Sequence, residues 1–157
     1  MIEHPIEPVY DADSQILILG SFPSVKSRES GFFYGHPQNR FWKVLAAVTS
    51  QEVPQTIEEK RNFLLRNHIA VWDVIQSCTI TGSSDSSIKN VVANDLSRIL
   101  DRAAIRQIYV NGRKAEQLYQ KYIYPETRIE AVCLPSTSPA NAAWSLERLC
   151  EAWKDIL

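Results

Sequence analysis

"SQILILGSFPS", residues Ser14 to Ser24, decides how this chain is read. The unbroken apolar run Ile16 to Leu19 predicts a short buried strand over about Gln15 to Leu19. Gly20, Ser21, Pro23 and Ser24 then end it in a turn. Three further stretches have the same character: "IAVWDVI" (Ile69–Ile75), "RQIYVNG" (Arg106–Gly112) and the start of "RIEAVCLPSTSP" (Arg128–Pro139). Helical patterns lie between them. "NRFWKVLAAVTS" sets Phe41, Trp42, Leu45 and Val48 at helical spacing, so a helix is expected near Asn39. "TIEEKRNFLLRN" opens on Thr56 and Glu59, a capping box. "NDLSRILDRA", "RKAEQLYQKY" and the C-terminus supply three more helices. A long loop is expected from Phe22 to Gln38, broken by Pro23, Gly31, Gly35 and Pro37, and an exposed loop at "TGSSDSS" (Thr81–Ser87). The alternation predicts an α/β fold: a three-layer α/β/α sandwich, with a short central parallel four-stranded sheet, as one domain spanning residues 1–157. Such sheets bind ligands at the carboxyl ends of their strands. Here those ends read "GSFPS", "WDVIQS", "NG" and "PSTSP", all polar or small.

Composition narrows the class. The 157 residues are 45% hydrophobic and 22% charged, as in an ordinary globular domain. No apolar run approaches the roughly 20 residues that span a bilayer. The N-terminus, "MIEHPIEPVYDAD", lacks a basic flank and an apolar core, so a cytoplasmic location is expected. Cys78, Cys133 and Cys150 form no C-x-x-C pair, which speaks for free thiols and against zinc or iron–sulfur ligation. A net charge of −1 weighs against a protein held to nucleic acid by charge alone. Locally the balance differs: Lys26, Arg28, Arg40 and Lys43 face only Glu29 between Gly20 and Leu45.

Several chemistries fail on the residues. "GSFPSVKS" nearly fits a phosphate-binding loop, but Val25 replaces its second glycine, Pro23 removes a backbone donor, and "RESGFFYGHP" is a poor helix. His4, His36 and His68 are isolated, so no metal site is expected. No G-x-S-x-G turn is present. A pair of catalytic carboxylates is not offered either, since Asp73 alone stands at a strand end. What remains is rich in rings, carboxamides and hydroxyls. Tyr34, Phe22 and Phe33 are candidates to stack on a flat ligand. Asn39 and Asn111 can each donate and accept, which suits the lactam edge of an oxopurine or oxopyrimidine. Taken singly, each asparagine also fits a helix cap or a turn.

"ILILGSFPSVKSRESGFFYGHPQNRFWKVL" resembles the first motif of the uracil-DNA glycosylase superfamily. It is most similar to the mismatch-specific branch and its deoxyinosine (hypoxanthine) glycosylase relatives. "LPSTSPANAAWSLERLCEAW" resembles the second motif, a DNA-gripping loop and helix, and "YVNGRKA" the third strand and its turn. The resemblance runs from about Ile16 to the C-terminus. One position departs: where the mismatch-specific branch has its water-positioning asparagine, this chain has Phe22. The hypoxanthine-acting relatives share GSFPS at that point, and their key asparagine corresponds to Asn39, with Asn111 assisting.

The resemblance implies a monofunctional enzyme that flips a deaminated base, hypoxanthine by preference, out of double-stranded DNA and leaves an abasic site. Asn39 and Asn111 are then the catalytic residues, with Asn39 orienting water and bonding the base. Backbone N–H groups of Gly20 and Ser21 stabilise the leaving base. Phe22, Tyr34 and Asp73 complete the base pocket, and Tyr34 matches the ring that stacks on the flipped base. Ser136, Thr137 and Ser138 bond phosphates while Pro139 wedges into the stack; the same stretch also reads as a helix start capped by Ser138. His36 fits either a base contact or a loop-fixing role. Phe41 and Trp42 are expected in the core. A monomer without cofactor or metal is expected. The alternatives are excision of uracil from mismatches, or a nucleobase-binding protein without the chemistry.

Overall fold

Ile16–Gly20 forms a strand in which all five residues are buried. The computed structural model describes residues 1–157. Its strands are β1 (Ile2–Glu3), β2 (Ile16–Gly20), β3 (Ile69–Asp73), β4 (Ile75–Thr79), β5 (Lys89–Ala93), β6 (Gln107–Asn111) and β7 (Ala131–Leu134). Its helices are α1 (Val25–Ser30), α2 (Phe41–Val48), α3 (Ile57–Arg66), α4 (Ser97–Leu100), α5 (Arg113–Leu118), α6 (Tyr124–Thr127) and α7 (Leu146–Trp153). The main sheet has the order β3-β2-β6-β7, all parallel. Helices flank it: α3 packs on β3, α5 on β6 and β7, and α2 against α7. This is the α/β sandwich that the alternation of strands and helices predicts.

The register sets up the site. Gly20 pairs with Asp73, Leu19 with Val110, and Asn111 with Leu134, so Gly20, Asp73 and Asn111 all stand at the carboxyl edge. Beneath them Leu17, Ile18, Leu19, Val71 and Val110 have no exposed surface. Beside them lies a block of rings. Phe41 meets Trp42 edge-on at 4.9 Å and Trp153 at 5.9 Å. Each such pair adds about 0.5–1.5 kcal/mol beyond simple burial. Phe41 and Trp42 are therefore core, as expected, whereas Phe33, a stacking candidate from the sequence, is also packed into the core at only 2% exposed.

Three departures from the sequence reading have local causes. "IAVWDVI" is two strands rather than one. At Val74 the chain leaves the main sheet, and β4 joins β1 and β5 in a small antiparallel sheet. The buried Asn94 staples that bend, its Nδ2 donating to the carbonyls of Asp73 (2.9 Å) and Ile75 (3.2 Å). Second, the long loop contains α1. Ser24 caps it by accepting from the Ser27 N–H (3.1 Å), and Gly31, at φ 80°, ends it in the left-handed region. The two capping residues outweigh the poor propensity between them. Third, the last helix begins at Leu146 with Ser145 as cap, not at Pro139, so residues 135–144 form a loop ahead of the helix.

Candidate active site

A cavity of about 340 Å³ opens at the carboxyl edge of β2, β3 and β6, within the usual size range of small-ligand sites. Every site residue proposed from the sequence lines it: Gly20, Ser21, Phe22, Tyr34, Asn39, Asp73, Asn111, Ser136, Thr137, Ser138 and Pro139. Gly20 is required for space. A Cβ there would lie 2.5 Å from Asp73 Oδ1 and 3.1 Å from the Tyr34 hydroxyl. Gly112 is required twice over, by its φ of 96° and by Ser136 Cβ, 3.0 Å from where its own Cβ would be.

The two asparagines are joined through Thr137, and the bonds have only one sense. The Thr137 backbone N–H donates to Asn111 Oδ1 (3.1 Å), so the other end of that carboxamide is Nδ2, which donates to Thr137 Oγ1 (3.0 Å). The Thr137 hydroxyl then donates to Asn39 Oδ1 (2.9 Å). Asn39 Oδ1 also accepts from the Phe41 N–H (2.9 Å). Both lone pairs of that oxygen are thus engaged. Asn39 turns toward the cavity an amide nitrogen that bonds nothing in the protein. It can donate to a base or a water but not accept from one, so any water it orients is held by its amide N–H. Thr137 is itself a correction. It has no exposed surface, so its side chain joins the asparagines and does not reach a phosphate.

Asp73 is 4% exposed. One carboxylate oxygen, Oδ2, accepts from His4 Nε2 at 2.7 Å. The other, Oδ1, makes no bond within the protein and lies beside Gly20 at the cavity. Tyr34 sits in the left-handed region, at φ 52°, on the loop before α2. Its ring stacks on Phe41 at 3.8 Å with the planes 16° apart, so one face is taken by the core. Its buried hydroxyl has no partner. Burial, and then the charge of Asp73, push the phenol well above the ordinary tyrosine range, while the neighbouring Asn111 carboxamide acts in the opposite sense. Phe22 is packed edge-on by His4 and lies beneath the Arg28 guanidinium. The Ser21 backbone N–H donates to no other protein group.

Around the mouth, Ser136 Oγ accepts from the Ser138 N–H and Ser138 Oγ from the Ala140 N–H, leaving both hydroxyl hydrogens uncommitted. Arg40 locks this loop, donating to the carbonyls of Ser138 (3.0 Å), Asn141 (3.1 Å) and Trp144. Trp153 holds its start through Pro135 O (2.9 Å). His36 lines the cavity and accepts from the Gln38 N–H at Nδ1, so it fixes its own turn. Sequence reasoning missed the opposite wall, Ile80, Ser83 and Asp85, because "TGSSDSS" reads as solvent loop. That loop is tied down by Ser21 Oγ to Asp85, the Val25 N–H to Ser83 Oγ, and Arg28 to Gly82 O. It also missed His4, which no spacing connects to Asp73. No group of His, Cys, Asp or Glu is arranged to hold a metal ion, and no helix is long and apolar enough to cross a membrane.

Known proteins match this chain over nearly its whole length. A family model described as the uracil DNA glycosylase superfamily covers residues 7–157. A protein of Methanosarcina acetivorans named hypoxanthine DNA glycosylase is 35% identical over 161 residues, covering 99% of this chain and 98% of its own. One of the same name from Methanosarcina barkeri is 33% identical over 153 residues, covering 94% and 93%. Among solved structures, the solution NMR structure of a candidate uracil DNA glycosylase from Methanosarcina acetivorans superposes with a TM-score of 0.81. It is 34% identical and covers 99% of this chain and 96% of that one.

Proposed function

The chain belongs to the uracil DNA glycosylase superfamily, and on that premise we propose that this DNA glycosylase removes hypoxanthine from double-stranded DNA. The observation that carries the choice of an oxo base is complementarity within one cavity. Asn39 offers only amide N–H groups, and Asp73 Oδ1 offers an unshared acceptor. Hypoxanthine presents the reverse pair, a carbonyl O6 beside a ring N1–H. Adenine, with N1 unprotonated and an amino group at position 6, would meet a donor with a donor and an acceptor with an acceptor. Uracil and guanine present the same pair, and the relatives named for hypoxanthine favour that base among them.

In this reading the nucleotide is extruded and its base enters past Tyr34, whose open ring face stacks on it. Phe22 lies at its edge. The bond from C1′ to the base nitrogen breaks with its electrons moving onto the base, water oxygen bonds to C1′ and releases one proton to solvent, and the departing base takes one proton up from solvent. The products are the free base and an abasic site. Asn39 and the Ser21 N–H donate to the negative charge that grows on the base. Asn111 acts with Asn39 through Thr137, so the carboxamides supply orientation rather than proton abstraction. Ser136 and Ser138 donate to phosphates, and Pro139 fills the gap left in the stack. The enzyme works as a monomer in the cytoplasm, without metal or cofactor.

The test uses labelled duplexes carrying a single deoxyinosine, deoxyuridine or deoxyxanthosine, followed by alkaline cleavage of abasic sites. Wild type is expected to cut at deoxyinosine first, and Asn39→Ala to lose that activity. Cutting at deoxyuridine alone would move the assignment to uracil. No cutting at any base would sink it.

A further inference from the structure

One buried titratable side chain touches the site and has no part in the scheme above. His4 comes from the extreme N-terminus, ahead of residue 7, where the matching family model begins. β1 pairs with β4 through Ile2 opposite Cys78 and Glu3 opposite Ser77, and the His4 N–H donates to Gln76 O at 2.6 Å. This zips the first residues onto the small sheet and delivers the imidazole beneath the cavity. Its side chain is 3% exposed. It packs against Phe22 and Phe33 at 5.8 and 5.9 Å between ring centres.

The hydrogen bonds define which nitrogen carries the proton. The Ile6 backbone N–H donates to Nδ1 at 3.2 Å, and a backbone N–H can only donate. Nδ1 is therefore bare, and Nε2–H donates to Asp73 Oδ2 at 2.7 Å. One imidazole thus occupies one oxygen of the carboxylate and leaves the other facing the ligand. Without it, the carboxylate of Asp73 is free to rotate about its own bond.

We infer that His4 is a positioning residue for base recognition, holding Asp73 so that Oδ1 faces the ring N–H of the base, and that the N-terminal strand is part of the active site. The inference rests on the proposed role of Asp73 and goes beyond it by naming what orients that residue. His4 does not touch the base, and its effect passes through one hydrogen bond.

Three substitutions separate that bond from simple packing. His4→Phe keeps the contacts with Phe22 and Phe33 and loses both hydrogen bonds. His4→Asn reaches the Ile6 N–H but not Asp73. His4→Gln puts an amide donor where Nε2 stands. Single-turnover excision of hypoxanthine and the concentration dependence on duplex are measured for each, with thermal unfolding alongside. His4→Phe and His4→Asn are expected to slow the chemical step roughly 10- to 100-fold with little change in half-saturation, and His4→Gln to restore most of the rate. Wild-type rates in His4→Phe would overturn the inference. So would a His4→Gln as slow as His4→Asn, because shape alone would then account for the loss. Should His4→Phe fail to fold, the Asn and Gln pair still decides. A wild type without hypoxanthine excision would instead overturn the proposed function, a result distinct from either.

Discussion

Thr137→Val exchanges a hydroxyl for a methyl at a residue with no exposed surface. The shape is nearly kept and the chemistry is not, which makes it a clean probe of the link between the asparagines. Two hydrogen bonds go: Asn111 Nδ2 to Thr137 Oγ1 (3.0 Å) and Thr137 Oγ1 to Asn39 Oδ1 (2.9 Å). Each asparagine keeps one tether. Asn39 still accepts from the Phe41 N–H, and Asn111 from the Thr137 backbone N–H. At about 1 kcal/mol net per bond, stability should fall by about 2 kcal/mol. For a chain of this size that is a drop in Tm of about 4–8 °C. If the same 2 kcal/mol holds the Asn39 amide on the base in the transition state, excision slows roughly 30-fold. The assay is single-turnover release of hypoxanthine from a labelled duplex, with Thr137→Ser as the variant that keeps the hydroxyl. A Thr137→Val enzyme within about twofold of wild type, a gap of under about 0.5 kcal/mol, would refute the relay. A Thr137→Ser enzyme as slow as Thr137→Val would show that the methyl group matters and the hydroxyl does not.

Tyr34 makes a prediction in pH. Its phenol is raised by burial and by Asp73, so the folded state holds that proton more tightly than the unfolded chain. Its contribution to stability is complete below about pH 10 and is lost as pH rises further, at up to about 1.4 kcal/mol per pH unit. Tyr109 and Tyr119 are raised by burial too and give part of the same slope. Urea unfolding between about pH 9 and about pH 11 should therefore show a shallower decline for Tyr34→Phe than for wild type, and identical slopes would contradict the burial of that hydroxyl. Gly20→Ala adds a methyl 2.5 Å from Asp73 Oδ1 and 3.1 Å from the Tyr34 hydroxyl. Asp73 must move, and a displacement of that size is expected to cost about 100-fold in excision rate while circular dichroism stays native. Activity close to wild type would remove Asp73 from the recognition scheme.

The main sheet was legible because its four strands are short apolar runs, each ended by glycine, proline or polar residues. The same feature exposed the site, since those endings carry Gly20, Asp73 and Asn111. What stayed hidden depends on contacts between residues far apart in the chain. His4 and Asp73 are 69 residues apart, and Thr137 and Asn39 are 98 apart. Nothing local marks Thr137 as buried, and its neighbours Ser136 and Ser138 are only half-buried. The "TGSSDSS" stretch has the composition of a solvent loop, and only the hydrogen bonds from Ser21, Val25 and Arg28 make it a wall. The break at Val74 was harder to read, because after the single Asp73 the apolar pattern resumes at Val74 and Ile75.

Charge resolves in the same physical terms. The excess of cations between Gly20 and Leu45 suggests a phosphate-binding face, yet both arginines are committed to hydrogen bonds within the protein and Lys26 pairs with Glu29 at the surface. Arg40 gives its donors to three loop carbonyls, Arg28 to Gly82 O and the Phe22 ring, and Lys26 lies 3.8 Å from Glu29. Arg40 in particular is the bolt that holds residues 138–144 against the start of α2. The loop it rigidifies is the one whose uncommitted hydroxyls, on Ser136 and Ser138, face the mouth of the cavity. Neutral donors on a pre-formed loop lose less to ordering than mobile lysines, and they release fewer counterions on binding. A chain with a net charge of −1 is compatible with a DNA substrate on the proposed terms, in which cations fix the shape of the grip and neutral groups make the contact.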